Sequence, residues 1–492
     1  MILSIAAAQR LIAMLVAIVL ISSINAIGAD AIDIGSHREL FVDRYLIDSM
    51  KGTELRLQHP HDEGIVLKFD EPWEGPFCAY VTVIHDGLKY QMYYRGASGE
   101  KRQVTCYAES TDGISWKKPK LDLFPVAHGR KTNIVLANVG KVTHNFCPFI
   151  DTRPDVQPDR RYKALGGYDD VDLFAYVSPD GIHWRKLCDE PVFTRKQVFA
   201  TQLAFDSQNV PFWSEAEHKY LLYFRVYKDK IRRIARAESE DFLNWTHVQL
   251  MEYRHNDRPA PIEQLYTNQT HPYFRAPQIY VSIAARFMLG RRVITKQQAQ
   301  EIHVNSNYFN DTSDAIFMTS RGGNIYDRTF LEAFVAPGIG AQNWISRTNY
   351  PALNVVQTGP AEMSVYLNQN YAQPMANLHR YSLRLDGFAS LHADYNGGEM
   401  VTKPLTFSGS TLLLNFATSA AGSIRIEIQD QPGKPIPGFA LADCHEVIGN
   451  EIERAVTWRG ASLAALAGKP VRLRLVMKDA DLFALRFAGK ME

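Results

Sequence analysis

Cysteine is scarce and scattered in this chain of 492 residues. The five present, Cys78, Cys106, Cys147, Cys188 and Cys444, share no Cys-x-x-Cys spacing. Neither a zinc cluster nor a dense disulfide framework is therefore written into it, although one or two bridges stay open. Cys78, Cys106 and Cys147 lie in apolar, strand-like runs, where a thiol is inert packing. Net charge is nearly absent too: 54 Lys and Arg face 53 Asp and Glu, for a formal charge of +1. That excludes the basic footprint of a nucleic-acid binder and gives no sign of an acidic substrate. There is no His-x-x-x-His, no EF-hand loop and no phosphate-cradling glycine loop, so no metal site or cofactor is implied. Only a structural calcium in a central channel stays open.

Long apolar runs are missing after the first thirty residues. Before that, Arg10 precedes the apolar stretch 11–21, and small residues follow at 22–26 and 28–29. This pattern predicts a signal peptide over residues 1–26 and a secreted or periplasmic mature protein with no membrane span. A membrane anchor is the alternative, since the run reaches the low end of a spanning length.

What the chain has in quantity is aromatics, 11% with 23 Tyr and 7 Trp, which suit both β-structure and sugar binding. It also repeats itself. The stretch Leu203–Arg225 places Asp206 and Asn209 ahead of an aromatic strand, then a polar turn at Ser214–His218, then a second strand. Related units follow Phe69–Gly75 and His144-Asn145. Each of the three closes in a turn that ends in tryptophan: Ser110–Trp116, Ser178–Trp184 and Ser239–Trp245, about 60–70 residues apart. A looser fourth unit begins at Tyr266–His271 and carries a polar insertion, with the one expected helix near Thr295–Ile302. A fifth runs from Thr358–Tyr366, read as its innermost strand, to His379–Leu385. Four short strands per unit, five times over, predict an all-β, five-bladed β-propeller over residues 30–395. Glu39–Asp48 and Leu55–Gln58 read as a lead-in packed on it. From Gly397 the aromatics thin out, and alternating strands over 397–492 predict a C-terminal β-sandwich.

With its three Ser-x-Asp-(Gly)-x-x-Trp turns and closing Leu383–Ser390 segment, the chain resembles the five-bladed-propeller glycoside hydrolases, the clan of invertase-like and arabinanase-like enzymes. It is also similar to an exported bacterial branch that shares Phe-Val-Asp-x-Tyr-Leu-Ile, here Phe41–Ile47. The resemblance implies a monomeric enzyme acting on a poly- or oligosaccharide. Asn-Asp-Pro-Asn-Gly, Arg-Asp-Pro and Glu-Cys, signatures of the invertase-like branch, are missing here. Catalytic residues and specificity therefore do not carry over.

In a propeller the site lies around the axis, at the entrance of the innermost strands. The polar residues expected there are Glu74, Asn145 with His144, Asp206 with Asn209, Asn268 with His271, and Glu362. Glycoside cleavage needs paired carboxyl groups, roughly 5–10 Å apart. Asp206 is the candidate base or nucleophile, Glu362 the general acid and Glu74 the supporting carboxylate. A capping role for Asp206 and an ion pair with Arg347 or Arg384 for Glu362 are the plainer alternatives. Arg95 and Arg225 end equivalent strands and would clamp carboxylates between blades or bind substrate. Trp73, Tyr93, Tyr266 and Trp344 are candidate sugar platforms, with core packing as the alternative. Asp112, Asp180 and Asp241 belong to the tryptophan turns and read as structural. A non-catalytic carbohydrate-binding propeller and a propeller glycoside phosphorylase are the competing functions.

Overall fold

The structure, a computed structural model, describes residues 31–97, 103–126, 130–168, 171–199 and 203–489. The expected signal peptide lies outside them. Within residues 31–489 the chain divides into two units, one made of 40–43 and 55–390, the other of the described parts of 31–39, 44–54 and 391–489.

The first unit is a five-bladed β-propeller. Blade 1 is Ala79–His85, Tyr90–Ala97, Gln103–Ser110 and Ile134–Leu136; blade 2 is Cys147–Ile150, Tyr162–Tyr168, Val171–Ser178 and Arg185–Lys186. Blade 3 is Val210–Ser214, Lys219–Lys228, Ile231–Ser239 and Thr246–Leu250. Blade 4 starts at Thr270–Tyr273, Ala276–Met288 and Thr312–Ser320, and extends outward through Ile325–Asp327 to Glu252–His255. The helix Lys296–Glu301 sits in its insertion, as the sequence predicts, and is opened by a Thr295 capping box.

Blade 5 departs from expectation. Its innermost position is split between Tyr350–Pro351 and Val356–Gln357, both paired to Glu362–Gln369. Glu362–Gln369 is thus the second strand, not the innermost. Asn377–Arg384 follows, and the outermost strand is His61–Lys68, from the other end of the unit's sequence. The ring is closed by this non-local pairing.

Blades stack face to face, so their middle strands are buried on both sides. Tyr220–Val226 is buried at every residue, Arg225 included. Phe193, Phe205 and Phe224 form a triangle with ring centroids 5.4–5.5 Å apart, and Trp245 and Phe242 extend it. Such pairs each add about 1 kcal/mol beyond their buried area.

The tryptophan turns are structural. In each, the Asp carboxylate accepts two backbone amides, as Asp180 does from Ile182 and His183 at 2.9 Å. Burial would raise these acids; the amide donors outweigh it and bring Asp112 and Asp180 down to about 2. Blade contacts end on these turns, with Tyr93 Oη donating to Gly181 O at 2.9 Å and Tyr366 Oη donating to Gly113 O. All five cysteines are unpaired.

The second unit carries one ten-stranded sheet. Its two long strands, Thr411–Asp430 and Val471–Ala488, pair along nearly their whole length, with a register break between Thr418 and Ser423. The strands expected of a sandwich are present, joined in one continuous ladder. The predicted lead-in is corrected here. Ile32–Gly35 pairs in parallel with Leu405–Phe407, and Ile47–Lys51 pairs with Gly398–Thr402, so these segments build the second unit's sheet. Leu40–Asp43 and Leu55–Gln58 group with the propeller, where Arg321 Nε donates to Asp43 at 2.8 Å.

A methyl added at Gly181 (φ +78°) would stand 2.3 Å from the Tyr93 hydroxyl, whereas Gly87 (φ +94°) faces open space. Gly181→Ala is expected to cost at least about 2 kcal/mol in urea unfolding and Gly87→Ala about 1 kcal/mol. Equal losses would mean the turn contact contributes nothing.

Candidate functional site

The axis of the propeller is filled, which separates two faces. Thr82, Cys147, Gln208, Val210, Gln269 and Leu353 are buried across it. Gln208 Nε2 donates to Thr82 Oγ1 at 2.6 Å, and Gln269 Nε2 donates to Gln208 Oε1 at 2.8 Å and to Pro351 O at 2.8 Å. What happens where the innermost strands begin is therefore distinct from what happens where they end.

At the beginning, the segments ahead of the innermost strands converge. Asp206 sits on a tight turn whose preceding residue, Phe205, has φ +69°. A non-glycine residue in that region is uncommon, and the turn is held from several sides. Asn145 Nδ2 donates to Phe205 O at 2.8 Å and Asn209 Nδ2 to the same oxygen at 3.2 Å. Ser207 Oγ donates to Tyr266 O at 2.8 Å. Asn145 and Asn209 are thus fully buried braces that aim Asp206, rather than ligand-facing groups as expected.

Asp206 remains partly open to solvent and lines a cavity of about 270 Å³ with Arg225, Tyr227 and Arg232. Its Oδ2 accepts from Arg225 Nη2. His144 Nε2 lies 3.9 Å from its other oxygen. His144 is itself placed by Gln103 Oε1 at 2.9 Å from Nδ1 and by Arg95 Nη1 at 3.1 Å from Nε2, between the rings of Tyr80 and Tyr168. Burial first, then the Arg95 and Arg225 charges, hold its pKa well below the ordinary histidine value. The imidazole is therefore neutral, with Nδ1 protonated and Nε2 accepting.

Tyr266 is enclosed by guanidiniums. Arg225 Cζ is 4.4 Å, Arg347 Cζ 5.1 Å and Arg232 Cζ 5.3 Å from its ring centroid, and Arg347 Nε donates to its hydroxyl at 3.3 Å. Burial would raise this phenol and Asp206 adds to that, yet Arg347 and Arg225 prevail and the net direction is down. Arg95 lies over Tyr80 and donates to Phe77 O at 2.7 Å and Tyr371 Oη at 3.1 Å.

Asp206, Arg95, Arg225 and Tyr266 are thus brought together. His144 joins them and Asn145 and Asn209 brace the turn beneath, but Glu362, Glu74, Trp73 and His271 lie elsewhere. Glu362 begins the second strand of blade 5, next to Gln357, where the innermost strand ends; Asp206 precedes the beginning of its own innermost strand. The two carboxylates belong to opposite faces. Glu362 instead pairs with Arg380 Nη1 at 2.8 Å and accepts from Thr358. Glu74 is fully buried, accepting from Tyr94 Oη at 2.6 Å and pairing with Lys118 Nζ at 2.7 Å, a structural ion pair. Trp73 is core, donating to Asn133 at 2.7 Å. His271 bridges blades 4 and 5, with Nδ1 on Gln269 O at 2.9 Å and Nε2 accepting from Val355 N at 3.1 Å.

Sequence reasoning missed Tyr80, Tyr371, Arg232 and the role of Arg347. The available signal was position. Arg347 precedes the innermost strand of blade 5 as Asp206 precedes that of blade 3, and Tyr80 and Arg347 share the left-handed backbone of Phe205, at φ +56° and +63°. The opposite face holds the larger cavity, about 800 Å³, lined among others by His85, Tyr90, Trp213, Phe274 and Asn354. Its carboxylates are Asp112, spent on its turn, and Glu215. Among the described residues no group of three or more His, Cys, Asp or Glu could hold a metal ion.

No family model and no curated protein matches this chain. Solved structures do. BT0996 in complex with RGII is similar at 13% identity and TM-score 0.45, over 66% of this chain and 92% of that one. The Bombyx mori GH32 β-fructofuranosidase is similar at 10% identity and TM-score 0.39, over 87% of this chain and 95% of that one. An α-L-arabinofuranosidase from Clostridium thermocellum is similar at 10% identity and TM-score 0.39, over 61% and 89%. At such identities chemistry does not transfer from one protein to another.

Burial holds His271 down at about 4, against an ordinary value of 6.5. The unfolded chain takes up this proton below pH 6.5 and the folded one only near 4, so its stabilising contribution is lost as pH falls across that window. Unfolding free energy is expected to drop by on the order of 3 kcal/mol through this residue between pH 7 and 4. In His271→Gln that part of the slope is expected to vanish; an unchanged slope would overturn the assignment.

Proposed function

We propose that this is an exported carbohydrate-active enzyme that cleaves glycosidic bonds where its innermost strands begin. The observation that carries it is that one arginine holds both groups: Arg225 pairs with Asp206, which lines the cavity, and lies 4.4 Å from the ring centroid of buried Tyr266. Asp206, ion-paired to Arg225, suits a base. Tyr266, its proton loosened by guanidiniums, suits an acid, and its phenolate would be stabilised by the same charges. Water attacks the anomeric carbon and passes its proton to Asp206, while the glycosidic C–O bond breaks and the leaving oxygen takes the Tyr266 proton. Tyr227, which lines the cavity, offers an apolar face for a sugar ring. The apolar leader at 11–21 supports export.

A second reading, non-catalytic glycan binding, is favoured by the larger aromatic cavity on the opposite face, where no carboxylate pair is offered. The two readings separate in a hydrolysis screen over plant and algal glycans. Asp206→Asn and Tyr266→Phe are each expected to lower kcat by about 100-fold or more, with KM little changed. Glu362→Gln is expected to retain the rate. Activity surviving both of the first two changes would sink the proposal, and binding lost on Trp213→Ala with no hydrolysis anywhere would favour the second reading.

A further inference from the structure

The chemistry proposed above uses Asp206 and Tyr266 and leaves most of the positive charge at the site unexplained. Four arginines, Arg95, Arg225, Arg232 and Arg347, gather around Tyr266, His144 and Tyr80. Among the described residues Asp206 is the one carboxylate paired with any of them. Arg95 is buried, and every acceptor around it is neutral: a carbonyl, a hydroxyl and a neutral imidazole. Arg347 meets the Tyr266 hydroxyl and aromatic rings. Among the described residues Arg225 Nη1 and Arg232 Nε have no hydrogen-bond partner, a state that Arg236 Nε and Arg328 Nη2 share. Even with Tyr266 ionised, the described residues of the cluster would keep an excess of positive charge.

Burying guanidiniums against neutral groups is costly unless something anionic completes the set. Other buried or half-buried arginines of the propeller are matched by carboxylates: Arg236 with Glu217 and Glu238, Arg286 with Asp314 and Glu263, Arg328 with Glu263. Arg95 and Arg347 differ from these, each meeting neutral groups or the Tyr266 phenol among the described residues.

We infer that Arg95, Arg225 and Arg347 form a subsite for an anionic substituent carried by the sugar substrate, a uronate carboxylate or an ester sulfate. Guanidinium forks match both oxyanions through paired hydrogen bonds, and a neutral hydroxyl would leave the excess charge in place. Arg225 would divide its two nitrogens between Asp206 and the anion, linking substrate charge to the orientation of the base. This rests on the entrance-face reading of the active site.

The test is binding of the full mature chain to four oligosaccharide probes: oligogalacturonate, its methyl ester, a sulfated carrageenan oligosaccharide and its desulfated form. One anionic probe is expected to bind at least tenfold more tightly than its neutral counterpart, with affinity falling as salt rises. Which pair shows the difference separates carboxylate from sulfate. Arg95→Gln and Arg347→Gln are each expected to erase at least tenfold of that preference, while Arg291→Gln, on the exposed surface, leaves it intact. Should the variants misfold, the charged-to-neutral ratio and salt slope of the unmodified protein still decide. Equal affinity for charged and neutral probes overturns the inference. If neutral glycans are also cleaved in an Asp206-dependent way, the proposed function stands while the subsite falls. Cleavage that requires inorganic phosphate would assign the arginines to that ion and overturn the substituent. Anionic monosaccharides protecting the protein while no glycan is cleaved would leave the subsite standing and remove the enzyme reading.

Discussion

The propeller depends on a strand that comes from the wrong end of its sequence. His61–Lys68 completes blade 5 by pairing with Asn377–Arg384, about 310 residues away, and so closes the ring. Closure spares the fold an open seam between its first and last blades. It also holds five innermost strands against one another, so that side chains far apart in sequence fill one axis. The Thr82–Gln208–Gln269 chain of hydrogen bonds joins three blades there, and His271 ties the fourth to the fifth through Val355.

A filled axis turns one channel into two unrelated faces. On one, backbone held in left-handed conformations at Tyr80, Phe205 and Arg347 projects charge and aromatic rings toward a common point. On the other, strands end in a wider and more apolar cavity. Strain at several non-glycine positions around one point is the mark of a region where the surrounding structure enforces a geometry the chain would not choose. Asn145 and Asn209 show how: two buried amides spend their hydrogen bonds on the turn that carries Asp206.

Part of the candidate site was legible; Glu74, Trp73 and His271 proved to be buried structural partners, and Glu362 fell on the other face. Asp206, Arg95, Arg225 and Tyr266 were found because each precedes an innermost strand or ends its partner in a recognisable unit. Glu362 was misplaced because Glu362–Gln369 was taken for an innermost strand when it is the second. Neighbouring strands in a blade run antiparallel, so an error of one strand moves a residue to the opposite face. Val356–Gln357 is too short to advertise itself as a strand, and the closing strand lies outside the repeat pattern altogether. The balanced net charge misled in a similar way. A sum over the whole chain cannot reveal that, among the described residues, one carboxylate, Asp206, serves the arginines around Tyr266, while Arg236, Arg286 and Arg328 each have their own.

The sequence by itself determined what depends on neighbours along the chain: the strands, the tryptophan turns with their amide-capped aspartates, the capped helix at Lys296–Glu301, and the count of five blades. Each is set by contacts within a few residues or by a repeat that spells them again. Only the tertiary structure decided which strand seals the ring, that Ile32–Gly35 and Ile47–Lys51 build the second sheet, and which charges meet at the axis. Those outcomes rest on pairings across hundreds of residues. Their partners are chosen by burial and closure, which leave no local signature.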